Sequence, residues 1–171
     1  MNRTFPLARP SQAARTTMWA LTLIVAIICI IPTLFAPMPV KIGIVLVDGL
    51  VVGILARVVL RMDNVTFSVG GDVLDIRGDL SNRCMNKRIL NIAAARRLDR
   101  TQYETIRPML KLNGVGAPGY LSGWFLLQGG EKAYIFVTDK DKAVYVPTNE
   151  GYALLLTPDD PDGFLNALRQ G

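Results

Sequence analysis

Residues 133–169 decide the fold of the C-terminal part of the chain, and they read AYIFVTDKDKAVYVPTNEGYALLLTPDDPDGFLNALR. Three short apolar segments stand out in this stretch, namely Ala133 to Val137, Ala143 to Val146 and Tyr152 to Leu156. They are bounded by the polar run Asp139-Lys-Asp-Lys142 and by Pro147, which are typical turn and strand-ending residues. The pattern predicts three consecutive β-strands.

A helix is predicted after the last of these strands. Thr157 is a good N-cap, Pro158 suits the first helical position, and Asp160 completes a Thr-x-x-Asp capping pattern. The apolar residues then fall on one stripe, formed by Phe164, Leu165 and Leu168. The sequence therefore predicts an amphipathic C-terminal α-helix after the last strand.

Working outward toward the N-terminus, the period of two begins near Asn64. Val65, Phe67 and Val69 alternate with polar residues, and Gly70-Gly71 is a hairpin signal. Further candidate strands lie at 74–76, 88–92, 93–98 and 124–127. Residues 64–171 thus read as a mainly-β domain of about seven strands, a small barrel or sandwich capped by the helix.

Two long apolar runs precede this domain. Residues 18–35 carry no charge, residues 40–60 carry only Lys41, Asp48 and Arg57, and the Pro-rich residues 36–39 separate the runs. Each run is about long enough to cross a hydrocarbon core of roughly 30 Å. The pattern predicts two transmembrane helices in an antiparallel hairpin, preceded by a cytoplasmic tail at residues 1–17. The alternative interpretation is a secretory signal peptide followed by a core helix, although no small-x-small cleavage site follows the first run.

The positive charge of the chain indicates orientation in the membrane. The sequence has 19 Lys and Arg against 14 Asp and Glu, and the excess lies in the first 61 residues. Arg3, Arg9 and Arg15 precede the first run and Arg57 and Arg61 end the second, whereas the turn has only Lys41. The positive-inside rule then predicts a multi-pass protein of the inner (cytoplasmic) membrane with both termini in the cytoplasm. This distribution argues against nucleic acid as a partner, since that use needs a basic patch on a folded surface.

The second run contains an acid beside small residues. Asp48 adjoins Gly49, and Gly53 and Ala56 continue a small-residue face that would permit close helix packing within the hairpin or between copies. An acid inside a membrane helix often marks a functional site. The competing interpretation is that Asp48 is shallow, protonated or hydrogen-bonded to a threonine of the first helix.

The sequence offers little for catalysis. It has no His and only two Cys, and it shows no metal-ligand spacing. Gly114-Val-Gly-Ala-Pro-Gly119 matches the G-x-G-x-x-G pattern, but it contains Pro118 and leads into a strand instead of a helix, so it is interpreted as a flexible turn. We therefore expect no enzyme, no catalytic residue, no cofactor and no metal.

A basic stretch is the main candidate for binding. Eight basic residues lie between Arg83 and Lys111, opposed only by Asp99 and Glu104. Such a stretch could face an anionic leaflet, or it could be a solvated face with local salt bridges. The candidate membrane- or lipid-facing residues are Arg83, Lys87, Arg88, Arg96, Arg97 and Arg100.

The order of these features resembles small bacterial membrane proteins with a pleckstrin-homology-like (PH) domain. The resemblance covers residues 64–171. It rests on the stretches Leu112 to Gly119, Gly123-Trp-Phe125, Ala133 to Asp139, Val144-Tyr-Val146 and Leu156-Thr-Pro-Asp-Asp-Pro161, with Phe164 and Leu168. It implies a seven-stranded bent barrel capped by the C-terminal helix. No catalytic residues are assigned in this family, so none carry over.

The expected function is that of a membrane-anchored, non-catalytic scaffold or sensor at the cytoplasmic face. Its partners would be membrane lipid, anionic headgroups and a protein, which could be a second copy of the chain. The alternative is an OB-like barrel serving as an accessory subunit of a membrane protease or assembly complex. A third hypothesis, an enzyme or small transporter using Asp48, would need more polar groups within the membrane than the sequence supplies.

Overall fold

The protein is described from a computed structural model that covers residues 3–10, 12–35, 37–61, 65–78 and 82–170. Four α-helices lie in these ranges: α1 (Gln12–Phe35), α2 (Met38–Arg61), α3 (Arg100–Thr105) and α4 (Pro161–Arg169). The first sheet contains β1 (Arg3–Pro6), β2 (Thr66–Gly70), β3 (Val73–Arg77) and β4 (Arg83–Asn86). The second sheet contains β5 (Arg96–Arg97), β6 (Pro108–Ala117), β7 (Tyr120–Leu127), β8 (Lys132–Val137), β9 (Val144–Pro147) and β10 (Tyr152–Leu156).

The first sheet joins the two ends of the helical hairpin. Its order is β1-β2-β3-β4, and all of its strand pairs are antiparallel. Strand β1 comes before α1, yet it pairs with β2 so that Phe5 lies opposite Phe67. Of the predicted tail at residues 1–17, residues 3–6 lie in this sheet and residues 12–17 in α1.

The second sheet has the order β5-β9-β10-β8-β7-β6. Strand β10 is antiparallel to β9 but parallel to β8, since the chain returns to the middle of the sheet after β9. Most side chains of β8 and β10 are buried on both faces of this sheet. One face packs against the first sheet and α4, and the other is covered by a cluster that includes Leu98 and Tyr103 of the α3 region. This burial explains why residues 133–137 are almost continuously apolar.

Helix α4 closes the core between the sheets. Phe164 is fully buried, and its ring lies 5.7 Å from the ring of Phe5 and 6.0 Å from that of Phe67. The predicted C-terminal helix is present, but it begins three residues later than the expected Pro158. Asp160 is the N-cap and accepts a hydrogen bond from the Gly163 backbone N–H at 2.9 Å. Thr157 is instead buried beside β8, where its hydroxyl donates to the Phe136 carbonyl at 3.2 Å.

Helices α1 and α2 contact each other and form an antiparallel pair, because only two residues separate them. Helix α2 begins at Met38, inside the predicted turn at 36–39. A proline at position 39 is compatible with this start, because backbone N–H groups in the first turn of a helix have no partner within the helix. Taken over the described residues, no helix has the length and apolar character needed to cross a membrane. The prediction of transmembrane helices at 18–35 and 40–60 is therefore not supported, and Lys41, Asp48 and Arg57 interrupt the apolar character of α2.

The mainly-β domain with a C-terminal helix is confirmed, with several differences in detail. Within the described part of residues 64–171 there are nine strands, β2 to β10, where about seven were expected. The expected strand at 88–92 is replaced by the 3-10 turns Lys87–Ile89 and Ile92–Ala94, and the expected strand at 93–98 is reduced to β5. The expected turn at 114–119 lies largely within β6, where Gly114 pairs with Gly123 of β7.

Replacing Phe164 with Ala should strongly destabilise the β-domain. The change removes a ring that touches both β1 and β2, and truncations of this kind cost about 3–5 kcal/mol. Urea unfolding of the full chain, followed by circular dichroism, measures the decrease in the free energy of unfolding. Asn166→Ala on the exposed side of the same helix is the control and should change stability by less than about 0.5 kcal/mol. Equal effects of the two substitutions would contradict this packing.

Candidate functional site

The structure does not gather the predicted basic residues into one patch. Arg83 lies on β4, Lys87 in a 3-10 turn, Arg96 and Arg97 on β5, and Arg100 in the first turn of α3. Arg88 follows Lys87 and is exposed. These side chains have different neighbours: some lie beside acids, one is buried at the end of a helix, and two rest on aromatic rings.

Two of the arginines are partnered by acids. An Arg97 guanidinium nitrogen lies 3.2 Å from an Asp162 carboxylate oxygen, and Arg97 also donates to the Asp141 backbone carbonyl at 3.2 Å. Arg100 lies 3.8 Å from the Asp141 carboxylate. These pairs are solvent-exposed and contribute little stability, but they neutralise part of the charge of the basic stretch. Local salt bridges are thus present at Arg97 and Arg100, and contact of the basic stretch with an anionic leaflet stays a prediction.

Lys87 is buried, with 6% of its surface exposed. Its ammonium group lies 3.5 Å from the backbone carbonyl oxygen of Ala167, in the last turn of α4. A cation at this end of a helix interacts favourably with the helix dipole and with carbonyls that have no partner within the helix. Lys87 thus stabilises the capping helix and is not available to a lipid surface.

Arg96 rests on an aromatic ring. Its guanidinium carbon lies 4.9 Å from the ring centroid of Tyr145, and the Tyr145 hydroxyl donates to both Glu131 carboxylate oxygens at 2.8 and 3.0 Å. Burial, followed by the hydrogen bond to Glu131 and its charge, raises the pKa of Tyr145 to about 12. This arrangement orders Arg96 at the surface beside β9.

Arg83 occupies the most distinctive environment. The side chain is half-buried, and its guanidinium carbon lies 4.9, 5.3 and 5.8 Å from the ring centroids of Trp124, Tyr134 and Tyr152. The three rings also contact one another, since the ring of Trp124 lies 5.2 Å from those of Tyr134 and Tyr152. Burial raises the pKa of Tyr152, and the charge of Arg83 opposes that rise. We call Arg83 and these three aromatic residues the Arg83 cluster.

A cavity of about 330 Å³ opens beside the Arg83 cluster, between β4 and strands β6 to β8. Its lining combines polar side chains, aromatic rings and two glycines: Asn82, Arg83, Asn113, Gly114, Ser122, Gly123, Trp124, Tyr134 and Phe136. Gly114 and Gly123 pair across β6 and β7 with positive φ angles of 141° and 110°. A side chain on either glycine would collide with the backbone of the other strand, so only glycine fits at these two positions. We call this cavity the seam pocket.

A second cavity, of about 320 Å³, lies between the helical hairpin and β6. Met18 and Leu21 of α1, Leu55 of α2 and residues 114–118 of the β6–β7 hairpin line it, together with Lys111. Gly114 borders both cavities. The seam pocket therefore lies next to the base of the helical hairpin.

The predicted helix-packing residues Asp48, Gly49, Gly53 and Ala56 all lie on α2. A side chain built on Gly49 or Gly53 would meet nothing within 4 Å, while Asp48 and Ala56 are half-buried. Within the described residues, no other element packs tightly against Gly49 or Gly53. Packing of the small-residue face, within the hairpin or between copies, stays a prediction.

Sequence reasoning missed the aromatic members of the Arg83 cluster. The segments containing Trp124, Tyr134 and Tyr152 were recognised as strands, and period-two alternation could have shown which face Trp124 and Tyr134 share with Ser122 and Phe136. Arg83 was grouped with the other basic residues because its neighbours in the sequence are basic. Only the pairing of β4 with β3 places it opposite the second sheet.

Residues 77–171 match the family model described as "Bacterial PH domain". The match covers more than half of the chain and includes β4 to β10 and α4. It bears out the resemblance to a PH-like domain and favours it over the OB-like alternative. Comparison with curated proteins and with solved structures gives no significant match.

Replacing Lys87 with Met should destabilise the β-domain by about 1 kcal/mol, because the cation near the C-terminal end of α4 is lost while its apolar stem remains. Urea unfolding measures this change. Arg88→Met, one residue along and exposed, removes the same charge and should have an effect of less than about 0.5 kcal/mol. A larger effect at Arg88 than at Lys87 would contradict the buried placement of Lys87.

The stability of the protein should fall as the pH rises from 10 to 12, since native Tyr103 and Tyr145, whose pKa values are raised to about 12, keep their protons while the unfolded chain loses them. Tyr145→Phe should reduce this fall. Glu131→Gln should reduce it less, because burial is the larger cause of the raised pKa. Urea unfolding at several values between pH 9 and 11.5 tests this order. An unchanged alkaline slope in Tyr145→Phe would show that Tyr145 titrates normally.

Proposed function

The chain belongs to the bacterial PH domain family, and from this premise we propose that it is a non-catalytic, membrane-associated binding module. In this proposal the α1–α2 hairpin is buried in lipid. The β-domain stands at the cytoplasmic face of the inner membrane, where it acts as a scaffold or sensor through contacts with protein or anionic lipid. No catalytic step is proposed for any residue.

The observation that supports membrane association is the exposure of apolar side chains on both helices. Leu23 is 61% exposed on α1 and Leu46 is 69% exposed on α2, and most of the other large exposed hydrophobic residues in the described ranges lie on the same two helices. Soluble surfaces rarely leave contiguous apolar patches of this kind uncovered. Removing apolar surface from water contributes about 25 cal/mol per Å², so a lipid environment would strongly favour this hairpin.

The first sheet supports a topology with both ends of the hairpin on one side of the membrane. Strand β1 precedes α1 and β2 follows α2, and the two strands are hydrogen-bonded neighbours. A hairpin inserted in lipid must therefore return to the side from which it entered. The arginines that flank it, Arg3, Arg9, Arg15, Arg57 and Arg61, favour the cytoplasmic side.

The surface for a partner is proposed on the second sheet. Strand β6 is an edge strand, and Met109, Leu110 and Leu112 on it are 60%, 57% and 47% exposed. An exposed edge with apolar side chains is suited to pairing with another chain or to resting on a lipid surface. The exposed Arg88 and Arg96 add positive charge elsewhere on the domain.

Membrane association predicts that the full chain stays with the membrane fraction after washing with alkaline carbonate and high salt, and that detergent releases it. Adding charge to the exposed apolar surface with Leu46→Lys and Leu50→Lys should shift most of the protein out of that fraction, because burying a lysine in hydrocarbon is costly. The matched control, Gln128→Lys, adds a charge at an exposed site of the β-domain and should leave the distribution unchanged. Release of the unmodified chain by carbonate alone would overturn the proposal.

A further inference from the structure

The seam pocket holds a positive charge that lacks an acidic partner within the described residues. Arg83 is half-buried, and no ion pair or hydrogen bond between described residues uses its guanidinium group. The carboxylate whose charge acts on Tyr152 of the cluster is that of Glu150. The three aromatic faces of the Arg83 cluster compensate part of the cost of burying this charge. They do so without using the N–H donors of the guanidinium, which remain available to an anion.

Further donors surround the same space. The Asn82 side-chain oxygen accepts a hydrogen bond from the Gly78 backbone N–H at 3.3 Å, which leaves the amide NH₂ group of Asn82 to donate. The amide of Asn113 and the buried hydroxyl of Ser122 line the pocket as well. Because Gly114 and Gly123 carry no side chains, the floor between β6 and β7 stays open.

We propose that the seam pocket binds the phosphate group of a phosphate monoester, with Arg83 as its charged ligand and Asn82, Asn113 and Ser122 as neutral donors. A terminal phosphate presents three acceptor oxygens, which matches several donors better than the two oxygens of a carboxylate. A cavity of about 330 Å³ holds a phosphate and a small substituent. Arginine suits this role because its planar fork of donors fits phosphate geometry.

The phosphate could belong to a lipid headgroup or to a soluble metabolite. Gly114 borders both the seam pocket and the cavity at the base of the hairpin, so a headgroup at a membrane surface would lie within reach. The assignment rests on the proposed binding role of the domain. Binding of a soluble ester does not depend on insertion of the hairpin in lipid, so the two proposals can fail separately.

The test uses the full chain in a phosphate-free buffer, with Trp19→Phe so that Trp124 is the only tryptophan. In the soluble arm, the protein in dodecyl maltoside is titrated with glycerol 3-phosphate, and glycerol is the blank. In the lipid arm, the protein is placed in nanodiscs of phosphatidylcholine with or without phosphatidic acid. Since Trp124 contacts Arg83, its emission should change on binding in at least one arm.

Arg83→Gln should weaken this binding by about tenfold or more, because a hydrogen-bonded charge pair is lost. Arg96→Gln is the matched control: it removes an arginine that rests on Tyr145 at the same 4.9 Å, outside the pocket, and should change the affinity less than twofold. Asn113→Asp places a negative charge at the exposed rim and should abolish binding while circular dichroism shows an intact fold. A response in only one arm identifies the source of the phosphate. No saturable change in either arm, or equal affinity of Arg83→Gln and the unsubstituted chain, would overturn the proposal.

Discussion

The pairing of β1 with β2 is the constraint on which the arrangement of the chain depends. Thr4 and Ser68 are opposite each other although they are 64 positions apart in the sequence, with the whole helical hairpin between them. The segment after β1 is also tied to the domain, because the Leu7 and Ala8 backbone N–H groups donate to the carbonyls of Val65 and Thr157 at 2.9 and 2.8 Å. Closing so long a loop has an entropic cost that these hydrogen bonds and the packing of Phe5 on Phe164 offset. Both ends of the hairpin are thereby held at one edge of one domain.

The second sheet supplies the aromatic rings that surround Arg83. Its central strands β8 and β10 are covered on both faces, so they are rigid supports for the side chains that point toward the first sheet. Tyr134 on β8 and Tyr152 on β10 meet Arg83, which the first sheet supplies from β4. The Arg83 cluster and the seam pocket therefore exist only where the two sheets meet. Any change that separates the sheets should also disperse the cluster.

The sequence predicted the elements whose pattern follows from burial. Residues 133–137 and 152–156 are apolar because both faces are covered, and Phe164 and Leu168 are spaced by one helical turn. Strand β6 was missed because its side chains are largely exposed and show no alternation, and its glycines imitate a turn. The role of β1 could not be seen either, since Arg3-Thr-Phe-Pro6 is too short to show a period and its partner lies beyond the hairpin. The Arg83 cluster required knowledge of which strands face each other across the two sheets.

A cross-link between β1 and β2 tests this account most directly. Cysteines would replace Thr4 and Ser68, whose hydroxyl oxygens are 3.2 Å apart, in a full chain with Cys29→Ala and Cys84→Ser. Mild oxidation of the purified full chain should form the intramolecular disulfide readily. Thr4→Cys with the native, exposed Cys84, two strands further across the sheet, is the control and should not cross-link. Absence of the Thr4–Ser68 cross-link, or equal cross-linking to Cys84, would contradict the joining of the two ends of the hairpin in one sheet.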